Sequence, residues 1–306
     1  DGEVLRQAID KSWRELFGAF RALTPALTKN PLRILVPISQ DGAFGAVPSG
    51  RRRLMGAFPA GFFRSLSREL PDCRMQIIDA GDGPWLEAIE RHVNKITKYT
   101  EVGFKLGSRV RPTYAPLSPP KEFRNPIGQG ELVLVTGGAR GIVFECVTEL
   151  AKRSGCELLL TGRTPLPEGR PEWAGTAPEA IDDAIKQLEI KWVREEGMGL
   201  RDAKQRGGRT RSQWELLRNL DRLSSEGVTA RYEVCDVTDT GSFKNLVKNV
   251  TQTKPIRGIV HGAGVQKAKL ISELDDATVA RTINTKLGPL FTMLDILDWS
   301  QVSLFS

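Results

Sequence analysis

The sequence predicts an α/β protein built on parallel sheets, and three observations lead there. Glu131 to Ala151 (ELVLVTGGARGIVFECVTELA) joins a short apolar run, Val133-Leu134-Val135, to a helical face of Ile142, Cys146, Val147 and Leu150. The junction is the turn Thr136-Gly137-Gly138-Ala139-Arg140-Gly141, and β-type and helical periodicities alternate on both sides of this stretch. Between the halves, LSPPKEFRNPIGQG carries Pro, Gly and charge with little periodicity. That places a boundary near residues 117–130, with one unit over 1–125 and a second over 126–306.

The bulk numbers narrow the class. A chain of 306 residues can bury a proper core without staples. Its 4 cysteines lack C-x-x-C spacing, and Cys146, Cys156 and Cys235 lie in or beside apolar runs. They are expected to be reduced and mostly buried, which points to the cytoplasm. The 2 histidines, His92 and His261, are far apart, so no metal site is expected. The net charge is +7, but 44 basic residues are interleaved with 37 acidic ones, which argues against a nucleic-acid partner. Arg51-Arg52-Arg53 and Arg206 to Arg211 (RGGRTR) read as solvated loops, and KQRGGRTRS as a mobile one. No apolar run of about 18 residues and no signal peptide is seen, so a soluble chain without membrane contact is expected. The sequence starts without Met and stops on a strand, as a piece of a larger protein would.

In chain order, residues 4–23 place Leu5, Ile9, Trp13, Leu16, Phe17 and Phe20 at helical spacing, with Thr24-Pro25 as the stop. Strands follow at Leu32–Ile38 and Cys73–Ala80, and helices at Pro59–Leu70 and from Gly83-Pro84 through Val93. Glu101–Pro116 reads as a hairpin around Leu106-Gly107-Ser108. This half lacks a glycine turn leading from strand to helix, and Asp41 to Gly45 (DGAFG) is read as a structural loop.

The second half carries the chemistry. Glycines in the turn after Val135 let main-chain N–H groups approach a phosphate at a helix N-terminus, so Thr136, Gly137, Gly138, Ala139, Arg140, Gly141 and Ile142 are candidate cofactor residues. A second strand, Cys156–Thr161, ends in Gly162-Arg163. An acidic residue there would bind the ribose 2′-hydroxyl of NAD, whereas Arg163 accommodates the 2′-phosphate of NADP, with Arg140 as a second contact. Residues 165–228 form a long, mainly helical insertion in which Trp192 and Trp214 are packing residues. After the strand Thr229–Val234, Asp236 and Val237 are candidates for the adenine side, and Thr238 or Asp239 caps the next helix. A strand over Ile256–Val260 ends in His261-Gly262-Ala263-Gly264, small enough for ribose and nicotinamide to lie against the backbone. A helix carrying Lys286 and a strand at Gln301–Ser306 complete the order.

Taken together, TGGARGI, TGR, CDVTD, HGAG, TKLG and the terminal LFS resemble ketoreductase domains of polyketide synthases, which are short-chain dehydrogenases/reductases. The insertion and the wording GGARGI…EC resemble those of polyunsaturated-fatty-acid synthases. DGAFGA, GFFRSLSRELP and EVGF…GSRVRP resemble the truncated structural subdomain that precedes the catalytic Rossmann fold. The resemblance implies NADPH-dependent reduction of a β-ketoacyl group on an acyl carrier protein, beside neighbouring synthase domains. It implies a tyrosine proton donor, a serine that binds the carbonyl oxygen, and a lysine matching Lys286. Two departures stand out. Val143 occupies the place of the fingerprint's last glycine, which leads one to expect a displaced phosphate loop. The serine and tyrosine are expected beyond Ser306, so this stretch alone is expected not to turn over. The alternative is a non-catalytic scaffolding domain.

Overall fold

The computed structural model describes residues 2–46, 56–81, 83, 85–90, 99–105, 108–118, 125–266 and 268–306. The chain divides into two compact units. One comprises Glu3–Lys121 with Lys267–Val279, the other Asp1–Gly2, Glu122–Gln266 and Ala280–Ser306.

The first unit contains α1 (Gly2–Lys29), β1 (Arg33–Ile38), α2 (Ala57–Glu69), β2 (Arg74–Asp79), α3 (Trp85–Glu90), β3 (Thr100–Lys105) and β4 (Ser108–Val110). β1, β2 and β3 are parallel, and β4 turns back antiparallel on β3. Helix α1 buries Trp13 and Phe17, and Phe20 meets Phe62 and Phe63 edge-on at 5.8 and 4.9 Å. Contrary to the expected stop at Thr24-Pro25, α1 continues through Pro25 to Lys29. An interior proline costs about 3 kcal/mol. Here the extra turn buries Leu27, and the hydroxyls of Thr24 and Thr28 donate to the carbonyls of Phe20 and Thr24 at 2.7 and 2.9 Å.

The loop after β1 closes on itself. The buried Asp79 carboxylate accepts the amides of Gln40, Phe44 and Gly81, and Asp41 accepts those of Ala43 and Gly45. DGAFG is therefore a structural loop with its polar groups satisfied internally. The late segment returns to this unit, where Glu69 accepts the Ile271 amide at 2.7 Å and Arg21 pairs with Asp276 at 2.7 Å. Arg51-Arg52-Arg53, Pro84, His92-Val93 and Leu106-Gly107, all named in the sequence reading, lie outside the described residues.

The second unit contains β5 (Leu132–Thr136), α4 (Gly141–Ser154), β6 (Glu157–Gly162), α5 (Ile181–Glu195), α6 (Leu200–Ser225), β7 (Ala230–Val234), α7 (Thr240–Thr253), β8 (Ile256–His261), α8 (Asp276–Ile296) and β9 (Leu304–Phe305). Its five strands are parallel in the order β7-β6-β5-β8-β9. β5 lies at the centre, so every one of its residues is buried. Alternate strand residues feed opposite faces. Val133, Val135, Leu158 and Leu160 pack with Phe144, Val147 and Ala151 of α4 and with Leu216 and Leu223 of α6. Leu132, Leu134 and Leu159 pack with Phe243 and Val247 of α7 and Met293 of α8. The fold is a doubly wound, Rossmann-type sheet.

Four expectations are corrected here. On α4 the buried face is Phe144, Val147, Thr148 and Ala151, whereas Ile142 is 83% exposed and Cys146 is exposed. The bulkier Phe144 sets the helix rotation and turns the Ile142–Cys146 stripe to water. KQRGGRTRS is not a loop but part of the continuous helix α6, whose Ala203, Gly207 and Thr210 recur at helical spacing on a buried face. A side chain at Gly207 would meet Glu189 Oε1 at 2.1 Å and Ile185 Cγ2 at 3.0 Å, so glycine lets α5 and α6 approach closely. The second half of α6 covers the sheet through Leu216 and Leu223 and is the crossover helix, so the departure from a compact βαβ unit is shorter than 165–228. Finally, Gln301 ends a 3-10 turn (Trp299–Gln301), and the last strand is only Leu304–Phe305. Among the described residues, no helix is long and apolar enough to cross a membrane.

Candidate functional site

The strand order fixes where a ligand can sit. β5 and β8 are neighbours, yet the chain leaves β5 for α4 on one face and β8 for α8 on the other. This opens a crevice at their carboxyl ends. The backbones meet closely there. Gly137 has φ 68°, and a side chain on it would lie 2.9 Å from the Ala263 backbone. The Gly262 amide donates to the Thr136 carbonyl at 2.9 Å.

Val143 packs toward the residue that follows β8. A methyl on Gly262 would sit 2.6 Å from Val143 Cγ2, so the missing side chain just after β8 makes room for the extra one on α4. Arg140 precedes α4 in extended conformation, and its side chain makes no capping hydrogen bond to the helix. The first-turn amides are thus open to an anion, which the helix dipole favours. Asn219 of α6 is buried and donates to the Ala139 carbonyl at 3.0 Å, pinning the turn from 80 residues away.

His261 is held in a relay. Its Nε2 lies 2.8 Å from the Lys286 carbonyl, which can only accept, so Nε2 carries the proton. Nδ1 then accepts from the Thr136 hydroxyl at 2.6 Å, and that oxygen accepts the Ala263 amide at 3.3 Å. Burial pushes the His261 pKa down, the Lys286 carbonyl opposes this, and the Lys286 charge adds to the lowering. The ring is a neutral link between β5, β8 and α8, with both nitrogens engaged inside the protein.

A cavity of about 1030 Å³ opens at this crevice. Gly137, Ala139, Arg140, Gly162, Arg163, Asp236, Val237, Gly262, Ala263 and Gly264 all line it. Thr136, Gly138, Gly141, His261 and Lys286 do not, although each adjoins a lining residue along the chain, and neither does the exposed Ile142. Thr136 and His261 form the relay behind it, and a side chain on Gly138 would lie 2.0 Å from Val135 Cγ1. Lys286 reaches the cavity's edge, because a side chain on Gly264 would lie 2.7 Å from its Cε and 3.1 Å from its Nζ.

The sequence reading missed several lining residues: Thr161, Tyr232 and Thr285, and from the insertion Trp173, Trp192, Gln205, Arg206 and Arg209. Periodicity showed Trp192 as a packing residue, which it also is, but carried no sign that the insertion folds over a ligand crevice. Thr161 Oγ1 is buried without a hydrogen-bond partner. Arg140 pairs loosely with Glu215 at 3.7 Å, and Arg163 has no carboxylate partner among the described residues. Asp236 Oδ1 accepts both the amide and the hydroxyl of Thr238, at 2.9 and 2.7 Å, which fixes its carboxylate at the rim. Asp239 caps α7 by accepting the Ser242 amide at 3.1 Å.

A doubly wound parallel sheet, a glycine turn after its central strand and a cavity at the switch point define the Rossmann-type nucleotide-binding class of domain. Within that class the chain belongs to the KR (ketoreductase) domain family, which its residues 132–305 match. It is 26% identical over 180 residues to one of the subunits of the polyunsaturated fatty acid synthase of Thraustochytrium sp., covering 56% of this chain and 6% of that protein. It is 25% identical over 177 residues to one of the subunits of the phenolphthiocerol/phthiocerol polyketide synthase of Mycobacterium tuberculosis, covering 56% of this chain and 8% of that one. The chain thus spans under a tenth of the length of these relatives. In fold it is similar to a ketoreductase domain from the bacillaene assembly line, with TM-score 0.61 and 17% identity over 93% of this chain and 56% of that one. An N-terminal ketoreductase from the macrolactin assembly line gives TM-score 0.57 and 19% identity over 94% of this chain and 48% of that one.

Proposed function

We propose that the chain holds NADPH in the cavity at the β5–β8 switch point. There it serves the reduction of a β-ketoacyl group carried by an acyl carrier protein within a polyketide or polyunsaturated-fatty-acid synthase. The relatives' names support the setting. One observation carries the cofactor reading: Arg163, without a carboxylate partner among the described residues, opens on the same cavity as the glycine turn.

The residues fit the group. Gly137 and Gly262 leave backbone where a Cβ would intrude, the first-turn amides of α4 are uncapped, and the Thr161 hydroxyl is unpartnered. In this reading the turn from Gly137 to Ile142 and the α4 amides hold the pyrophosphate, and Arg163, aided by Arg140, holds the ribose 2′-phosphate. Asp236 and Val237 border the adenine. Gly262, Ala263 and Gly264 let the ribose and nicotinamide lie along the backbone, with His261 and Thr136 fixing that backbone. When bound, NADPH supplies the hydride. Lys286 presents its ammonium beside Gly264, where it orients a proton-donating hydroxyl and favours its ionised form. Residues 1–125, with which 267–279 cluster, are the structural subdomain and the rest of 126–306 the NADP-binding one, set among neighbouring synthase domains. A non-catalytic scaffold would not need an Arg163 open to the cavity.

Calorimetric titration of the chain and of Arg163→Ala with NADPH and NADH tests this. NADPH is expected to bind at least about tenfold more tightly than NADH, and Arg163→Ala to erase the difference, as loss of a charge-assisted contact of about 1.5–3 kcal/mol implies. Equal affinities in the parent would remove the 2′-phosphate role, and binding of neither would remove the cofactor reading.

A further inference from the structure

The cavity has a wall that a simple crossover would not supply, formed by α5 and the first half of α6. This wall is fixed in place. Gln213 Nε2 donates to the Pro165 carbonyl and Trp214 Nε1 to the Thr176 carbonyl, both at 2.9 Å, and Arg170 pairs with Asp221. Gly207 lets α6 lie close on α5.

Charge on the hairpin is uneven. Arg206 pairs with Glu196 at 2.7 Å and lies 4.2 Å above the Trp192 ring. Arg211 pairs with Asp182, and Arg222 pairs with Glu145 and Glu226. Arg209 has no carboxylate partner among the described residues, and it lines the cavity, as Arg163 does. Among the described residues, four arginines line this cavity; Arg140 and Arg206 pair with Glu215 and Glu196, which leaves Arg163 and Arg209 without a carboxylate partner, and the carboxylate of Asp236 is engaged by Thr238. Guanidinium groups stay charged at any ordinary pH, and like charges converging on one cleft draw a polyanion.

We propose that Arg209 is a specificity-determining residue. It meets the ribose 2′-phosphate of NADPH from the hairpin side while Arg163 meets it from the sheet side, and the insertion is the second jaw of the clamp. This rests on the NADPH reading above, and the test separates the two.

The chain is titrated calorimetrically with 2′,5′-ADP and with 5′-AMP, alongside Arg209→Gln, Arg209→Lys, Arg163→Ala and Lys204→Gln. Lys204 is on the same helix but does not line the cavity, so it controls for net charge. Arg209→Gln is expected to weaken 2′,5′-ADP about tenfold, the scale of one charge-assisted hydrogen bond, and to leave 5′-AMP unchanged. Arg209→Lys is expected to keep part of the affinity and Lys204→Gln all of it. If Arg163→Ala weakens 2′,5′-ADP while Arg209→Gln does not, the clamp is overturned and the NADPH reading stands. An equal loss for both nucleotides, or the same loss in Lys204→Gln, overturns the clamp as well. A parent chain that does not prefer 2′,5′-ADP overturns both. Far-UV circular dichroism checks that α6 persists, and if Arg209→Gln loses helix, Arg209→Lys decides: 2′,5′-ADP affinity fully retained or lost together with 5′-AMP refutes the clamp.

Discussion

The pairing of Val143 with Gly262 gives a quantitative test of how the helix is seated on the sheet. A methyl at Gly262 would lie 2.6 and 2.8 Å from the two Val143 methyl carbons and 3.0 Å from the Thr136 carbonyl oxygen. All three are inside van der Waals contact, and Gly262 sits between a central strand and a packed helix, so little can yield. Overpacking of this kind costs about 1–3 kcal/mol, which for a domain of this size lowers Tm by roughly 2–4 °C per kcal/mol. Val143→Ala alone removes two partly buried methyl groups at about 0.8 kcal/mol each. In the double variant the freed space receives the new methyl, while the carbonyl contact persists, so rescue is partial. A double-mutant cycle followed by scanning calorimetry should therefore show a favourable coupling of about 1 kcal/mol between the sites. Additive losses, or a Gly262→Ala variant as stable as the parent, would show that the glycine does not offset Val143.

Two further outcomes follow from the same crevice. Asn219→Leu leaves the buried Ala139 carbonyl without its 3.0 Å donor, at a cost of about 1–3 kcal/mol, and should lower Tm and weaken NADPH binding together. Calorimetry and a binding titration on one preparation check both. His261, its pKa lowered by burial, binds its proton less readily folded than unfolded. Between its folded value and the unfolded 6.5 the unfolded chain holds more protons, so this residue's contribution is complete above pH 6.5 and declines as pH falls through that window. Tm measured from pH 8 down to 5 should therefore fall less steeply in His261→Gln than in the parent, and equal slopes would contradict the half-buried neutral ring.

Much of this site is local in sequence, and so it could be read there. The turn from Thr136 to Gly141, Arg163 after its strand and the small residues from Gly262 to Gly264 each lie where one strand meets its own exit, and neighbouring residues decide that geometry. The rest depends on partners far along the chain. Asn219 gives no local sign that it holds Ala139, nor Gly262 that it accommodates Val143. On α4 two apolar stripes compete, and only packing against Leu216 and Leu223 of α6 selects Phe144 over Ile142. Arg206 to Arg211 looks like a loop by composition. The small residues Ala203, Gly207 and Thr210, too weakly apolar to stand out, are what seat it as a helix on α5.

The central claim is that NADPH occupies the crevice between the β5 and β8 exits. Hydrogen–deuterium exchange of the chain with and without saturating NADPH tests it most directly. Slower exchange is expected at the amides of residues 137–143 and 262–264 and in the α6 segment around Arg209, with the sheet of the 1–125 unit unchanged. Binding that leaves those segments unprotected, or protection confined to the first unit, would contradict it.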